Sequence, residues 1–464
     1  RGPPAGARVS SPYIVCVDTG STFTKAAAVS IGGTPGRLLS TAAVPTTVGP
    51  GQDVLSGLDA AVAHVVAQVG GSPREVRACS SAGGGLRLAV VGYERVVTAE
   101  AGARVGLSAG AKVVHVSSGP LDRVGIAALK ADRPDVVLLV GGTDGGDAAV
   151  LLHNAAMLAA SGPRVPYVVA GNVDARDEVA ELLTSGRRTV VTADNVLPKI
   201  GVLNPHPARA AIRDVFVHHV IGGKGFTKGP RFARLVRGAT PDLVLAGVEL
   251  LADSGVGDVL LVDVGGATTD VYSAINPDSE ELAASREVVE VMWRGRTVEG
   301  DLGMRWSATG VIEAAITERL LDDERERTHL LEAAQLRHDD PGWLPITAAD
   351  RKTDAQIARL ALTVALRRHA RPSGRFPGRN LSDVRLVVTS GGVFRHAHNE
   401  ELAAMVAPIT TDHAGGWRVP TAPRITVDRH YVMAAAGLLA QDHPDAAREL
   451  ITTALIEIPD ESGQ

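Results

Sequence analysis

Leu261-Val262-Asp263-Val264-Gly265-Gly266-Ala267-Thr268-Thr269-Asp270-Val271 sets a β-branched strand, an aspartate, a glycine-rich turn and a returning strand in one short stretch. Near the N-terminus, Val17-Asp18-Thr19-Gly20-Ser21-Thr22-Phe23-Thr24-Lys25 follows the same plan. Small residues at a hairpin tip let the backbone curl until successive N–H groups point at one anion, with hydroxyls beside them. An aspartate closing the incoming strand, Asp18 or Asp263, suits Mg²⁺ held through water, because that ion dehydrates reluctantly. Lys25 can reach a phosphate as a point charge. Either stretch alone is equally an ordinary β-turn. Two such hairpins facing each other can cradle one triphosphate from both sides, with Asp263 across the metal from Asp18. Phosphoryl transfer asks mainly for positioning and charge neutralisation, which this arrangement supplies.

A third piece, Val388-Thr389-Ser390-Gly391-Gly392-Val393, ends a strand on paired glycines that permit close backbone approach to an adenosine. There is no G-x-x-x-x-G-K-S/T pattern, so a P-loop is the wrong template. Around these motifs the chain reads as α/β. Strands are expected at 13–17, 26–31 and 38–44, then a helix at 53–69 and a strand at 76–80, closed by Gly83-Gly84-Gly85. Between 96 and 192 strands alternate strictly with helices, which implies βαβ units, a parallel sheet and a self-contained inserted domain. Its Gly141-Gly142-Thr143-Asp144-Gly145-Gly146 segment follows a strand and precedes a helix, where a doubly wound sheet can place a ligand. Helices at 207–220 and 241–253 lead back to a strand at 259–264. The second half adds a charged helix at 311–334, a helix at 354–369, a polar loop at 371–379, a strand at 384–389 and a helix at 431–441. The resulting division is a mobile N-terminus at 1–11, a first lobe at 12–95, the insert at 96–192 and a return with a connecting helix at 193–253. A second lobe at 254–428 and a second connecting helix with the tail at 429–464 complete it.

Composition excludes several classes. The 464 residues carry only 6 Phe, 4 Trp and 5 Tyr, so cores must be built from Ala, Val and Leu, as in parallel sheets. A net charge of −5 without a basic block gives no footprint for nucleic acid or an anionic membrane. No apolar run approaches the roughly 20 residues that span a bilayer. No signal peptide is visible, and the start at Arg1 rather than Met is consistent with a trimmed leader. Cys16 and Cys79 read as buried strand thiols, which fits a reducing, cytoplasmic setting. The 14 histidines form no Cys/His or H-E-x-x-H cluster.

These motifs, in this order, resemble the actin, hexokinase and heat-shock-chaperone ATPase superfamily: a two-lobed fold of duplicated ribonuclease-H-like units, here with an inserted doubly wound α/β domain. The resemblance implies ATP and Mg²⁺ as ligands. It makes Thr19, Gly20, Ser21, Thr22 and Lys25 the first phosphate motif, and Gly265, Gly266, Thr268 and Thr269 the second. Ser390, Gly391 and Gly392 become the adenosine motif, Gly300-Asp301-Leu302-Gly303 a loop closing on the terminal phosphate, and 241–253 and 431–439 the hinge helices. Asp18, Asp263 and Asp270 are the candidate catalytic residues, Asp18 and Asp263 also the metal-holding ones. More narrowly, Cys79-Ser80-Ser81-Ala82-Gly83-Gly84-Gly85-Leu86-Arg87, Leu139-Val140 with the glycine-rich segment after it, Asn195-Val196-Leu197-Pro198, 296–305 and 430–437 are similar to the MutL-type family associated with adenosylcobalamin-dependent glutamate mutase. That family is unrelated to the mismatch-repair protein of the same name. It implies an accessory ATPase that protects or reactivates the mutase. A small-molecule kinase of the same fold, using Asp270 or Asp301 as base, is the main alternative. An iron–sulfur activase and a non-hydrolysing scaffold stand behind it. The partner mutase's D-x-H-x-x-G cobalamin loop has its nearest match at Asp428-Arg429-His430-Tyr431-Val432-Met433, which lacks the glycine, so no histidine-ligated cobalamin is expected.

Overall fold

The computed structural model describes residues 11–47, 51–81, 86–94, 98–220, 230–275, 294–372, 378–414 and 417–458. The N-terminus taken as mobile, the glycine tract 83–85 and the middle of the 371–379 loop lie outside them. In chain order the strands are β1 (Tyr13–Thr19), β2 (Phe23–Ser30), β3 (Leu38–Pro45), β4 (Glu75–Ser80), β5 (Leu86–Gly92), β6 (Ala111–Ser118), β7 (Val136–Leu139) and β8 (Tyr167–Val169). Then come β9 (Val190–Thr192), β10 (Val236–Ala239), β11 (Val259–Val264), β12 (Thr269–Ala274), β13 (Arg294–Glu299), β14 (Leu386–Ser390), β15 (Arg424–Val427) and β16 (Ile456–Glu457).

Two sheets repeat one topology. The first runs β3-β2-β1-β4-β10, with β1–β2 and β2–β3 antiparallel and β4 and β10 parallel to β1. The second runs β13-β12-β11-β14-β15, with the same pattern of directions and β16 added at its edge. Each is the ribonuclease-H-like order, so the chain carries the expected duplication. Between the sheets lie the helices Thr240–Leu251 and Val432–Leu439, whose apolar sides share one core with Ile14 and Cys16 of β1 and Leu261 of β11. They cross closely because Gly437 faces the Leu243 carbonyl and Gly247 the Met433 carbonyl.

The third sheet, β6-β5-β7-β8-β9, is wholly parallel. Counted from β5, its order is 2-1-3-4-5, a doubly wound arrangement. Helix Thr98–Ser108 covers one face, where Ala101 and Val105 meet Leu88 and Val90. Helices Arg123–Ala131, Ala149–Ser161 and Arg176–Ser185 cover the other. Three expectations change. The strand Leu86–Gly92 pairs with β6 and β7, so this unit begins before residue 96. Nor is its core private: Leu88, Val90 and Val136 share a cluster with Val15, Val17 and Leu58 of the first lobe. The charged stretch at 311–334 is also two helices, Ala308–Thr317 and Glu324–Asp339. Arg319 with φ 56 stops the first, and Asp323 caps the second through the Arg325 and Glu326 amides.

Among the described residues no helix is long and apolar enough to cross a membrane.

Candidate functional site

The two hairpins are built alike. In β1–β2, Asp18 stands opposite Lys25 and Thr19 opposite Thr24. In β11–β12, Asp263 stands opposite Asp270 and Val264 opposite Thr269. Each four-residue tip closes through its first glycine: Gly20 N–H donates to Phe23 O at 3.1 Å, and Gly265 N–H to Thr268 O at 2.9 Å. A Cβ on Gly20 would sit 2.8 Å from Phe23 O, so the turn needs glycine there. On the other side of each aspartate runs the parallel neighbour, Cys79 beside Asp18 and Ser390 beside Asp263.

The tips meet. A Cβ on Gly266 would lie 3.2 Å from Thr22 Oγ1, which places the first tip against the second. Lys25 Nζ lies 3.3 Å from Asp18 Oδ2 and 4.0 Å from the centre of the Tyr431 ring. Burial alone would lower the Lys25 pKa, but Asp18, Tyr431 and Asp263 hold it above the usual lysine range. Burial pushes the Asp263 carboxyl up to about 6; Lys25 opposes this, Asp270 and Asp18 add to it, and the Ser390 hydrogen bond opposes it. Asp18, Lys25, Asp263 and Asp270 therefore share one electrostatic site between the lobes. Thr19 Oγ1 and Thr22 Oγ1 are buried and have no hydrogen-bond partner among the described residues. Two unsatisfied hydroxyls beside a glycine turn, with two opposed carboxylates, suit a phosphate chain and a hard cation.

Other expected residues are placed as follows. Ser21 is exposed at the first tip. Thr268 Oγ1 donates to Asp270 Oδ2 at 3.2 Å, whereas Thr269 Oγ1 is used internally, donating to Leu302 O at 2.6 Å. Gly391, with φ 118, lies so close to the Val264 carbonyl that no side chain fits, and Gly392 follows it into a short helix. The 300–303 loop braces the second hairpin. Gly303 packs on Ala267, the Met304 N–H donates to Gly265 O, and the Arg305 and Trp306 N–H groups donate to Gly266 O. Asp301 is held by both Arg368 Nη groups at 2.8 and 2.9 Å. Burial would raise its carboxyl, but Arg368 keeps it below the usual range. Gly300 is exposed, near Lys112 Nζ.

Three residues at the site were not among the expected site residues. Thr240 donates to Asp18 Oδ1 at 2.6 Å from the first turn of its helix. Arg296 donates to Asp270 Oδ1 through Nε at 3.0 Å and Nη2 at 2.7 Å. Tyr431, left-handed at φ 54, stands at the N-terminal boundary of the second connecting helix and stacks on both Lys25 and Arg395. Each acts across elements far apart in the chain. Asp428, which opens the nearest match to a cobalamin loop, receives the Val432 and Met433 N–H groups. Cys16 and Cys79 are free and buried, and burial pushes Cys16 up to about 12. Among the described residues no group of three or more His, Cys, Asp or Glu could hold a metal.

Duplicated sheets, paired hairpins and two crossing helices define the actin-like ATPase fold. The MutL protein family model matches residues 14–455. The Protein MutL of Clostridium tetanomorphum is 35% identical over 464 residues, covering 95% of this chain and 99% of that one. The chain belongs to the MutL family. Among solved structures, nucleotide-free acetone carboxylase aligns at 14% identity and a TM-score of 0.39, over 93% of this chain and 70% of that one. A glycerol dehydratase reactivase aligns at 12% and 0.36, over 92% and 99%.

Proposed function

We propose that the protein binds ATP with Mg²⁺ between its lobes, hydrolyses it, and uses the resulting lobe motion as an accessory, reactivating factor for an adenosylcobalamin-dependent mutase, glutamate mutase first. The carrying observation is the pair of equivalent hairpins whose tips touch at Thr22 and Gly266 and whose aspartates share one site. Family membership supports the accessory role.

In this reading the amides of 21–22 and 266–268 donate to phosphate oxygens, with the Thr19 and Thr22 hydroxyls beside them. Asp18 and Asp263 would hold Mg²⁺, which when bound would neutralise phosphate charge. Lys25 exchanges Asp18 for a phosphate oxygen, while Thr240 keeps Asp18 oriented. Asp270, fixed by Arg296 and Thr268, orients the attacking water. The 390–392 turn borders the nucleoside. A terminal phosphate that touches both tips favours the closed lobes, and its loss lets them part. Each carboxylate that a kinase could use as a base is engaged by an arginine, Asp270 by Arg296 and Asp301 by Arg368. That weighs against proton abstraction from a metabolite.

The test has two arms. Asp18→Ala and Asp263→Ala should each lower Mg²⁺-dependent ATP hydrolysis by at least about tenfold, since each removes a metal-positioning carboxylate. Glutamate mutase inactivated by a cobalamin lacking its adenosyl group should recover with this protein, ATP, Mg²⁺ and fresh cofactor, and not with Asp263→Ala. A protein that neither associates with the mutase in any nucleotide state nor restores it has another function, and the kinase reading then leads.

A further inference from the structure

We infer that Arg296 is the positioning residue for Asp270, and that the same guanidinium ties the second phosphate hairpin to the 86–192 unit through the Gly110 carbonyl. This deepens the proposed nucleotide reading and rests on it.

Arg296 lies on β13, with its side chain 6% exposed. Nε and Nη2 are both spent on Asp270 Oδ1, and Nη1 donates to Gly110 O at 3.0 Å. Asp270 Oδ2 receives the Thr268 hydroxyl, so neither carboxylate oxygen can move without disturbing a named partner. A planar guanidinium fork spans the two acceptors at once; an ammonium keeps the charge but not the span.

Gly110 makes the turn between helix Thr98–Ser108 and β6, at φ 74. A Cβ there would fall 2.7 Å from the Asp242 nitrogen, so the turn sits directly on the first turn of the connecting helix Thr240–Leu251. That helix turn carries Thr240, the hydroxyl on Asp18. One turn of the third sheet's unit is thus linked to both hairpins: through Asp242 and Thr240 of the connecting helix to Asp18, and through Arg296 to Asp270. Asp242 is 1% exposed and gripped by Arg209 and Arg213, which anchors the junction to helix Pro205–Val215. Two residues past Gly110, Lys112 Nζ would be 3.8 Å from a Cβ on Gly300, so the bracing loop also borders the unit.

A shift of Asp270 on nucleotide binding must drag the guanidinium, and with it the Gly110 carbonyl. By reciprocity, whatever docks on the 86–192 unit and moves that turn alters Asp270.

The experiment uses the full chain, wild type, Arg296→Lys and Arg296→Met, with circular dichroism to confirm folding. ATP affinity is read by calorimetry, steady-state hydrolysis gives kcat and KM, and amide exchange is followed at 107–113 with and without Mg²⁺-ATP. ATP should alter exchange at 107–113 in the wild type. Arg296→Lys should bind ATP within about threefold of wild type, lose at least about tenfold in kcat with KM little changed, and show no ATP-dependent exchange change at 107–113. Arg296→Met should behave likewise; should it not fold, the lysine variant decides. An ATP-dependent change that persists in Arg296→Lys, or a retained kcat, overturns the inference while leaving the nucleotide site standing. Wild type that binds no ATP overturns both.

Discussion

Gly437 offers the sharpest test of how the lobes are joined. A Cβ at this position would lie 1.9 Å from the Leu243 carbonyl oxygen, where ordinary contact begins at 3.4 Å. Gly437→Ala must therefore part the two connecting helices by about 1.5 Å, because the obstacle is backbone and not a side chain that can rotate away. The helices are locked from both sides, since a Cβ on Gly247 would lie 2.6 Å from the Met433 carbonyl oxygen. Overpacking of this kind costs about 1–3 kcal/mol, and the upper end applies here because buried Leu243, Val244, Met433 and Ala436 also lose their fit. The effect should reach the site: the separated helices carry Thr240 on Asp18 at one end and Tyr431 over Lys25 at the other. Urea unfolding should show a lower midpoint at an unchanged slope, and ATP affinity should fall with it. A variant that unfolds at the wild-type midpoint would refute the close crossing.

Two further predictions concern stability. His369 is fully buried, with its ring nitrogens on Thr297 and Ser273, and burial followed by the Arg379 charge holds its pKa well below the ordinary value. A histidine kept neutral in the fold contributes stability above its unfolded pKa and loses it as pH falls. Wild type should therefore lose about 1.4 kcal/mol per pH unit below pH ~6.5 relative to His369→Gln, read from urea midpoints; equal slopes would count against it. Asp354 binds Arg337 at 2.5 Å and Arg305 at 3.2 Å, and the Arg337 side chain is 2% exposed. Asp354→Ala leaves a buried cation unpaired and should cost about 3–5 kcal/mol in thermal or urea unfolding; a change under about 1 kcal/mol would show the pair to be dispensable.

The parts of the fold written locally were legible. A hairpin tip of Asp, Gly and hydroxyl residues constrains its own backbone, so both hairpins are legible without any tertiary contact. The helix start at Asp53 was equally local, since its side chain caps the Leu55 amide. What was missed depends on partners. The run Leu86–Gly92 has the pattern of a buried strand, and nothing inside it says which of two sheets it joins; pairing with β6 and β7 decides that. Thr240, Arg296 and Tyr431 meet the site from segments far away in sequence, so their types alone signalled neither cap nor relay. The charge pattern at 311–334 continues across the break at Arg319 because solvent-facing polarity does not record where a helix stops.

The duplication also explains how one architecture yields an asymmetric site. The two hairpins match in tip length, closing hydrogen bond and the position of the first aspartate, yet opposite that aspartate one has Lys25 and the other Asp270. The swap gives the first hairpin a cation that can leave Asp18 for a phosphate oxygen. It gives the second an anion that needs an outside counter-charge. Arg296 supplies that charge, and in doing so brings the neighbouring unit into contact with the site through Gly110. Had both positions been lysine, no guanidinium would be required there and the link to the third sheet would have no electrostatic reason to exist. Within the two hairpins, the one register position that differs in charge is thus the position from which the added unit is reached.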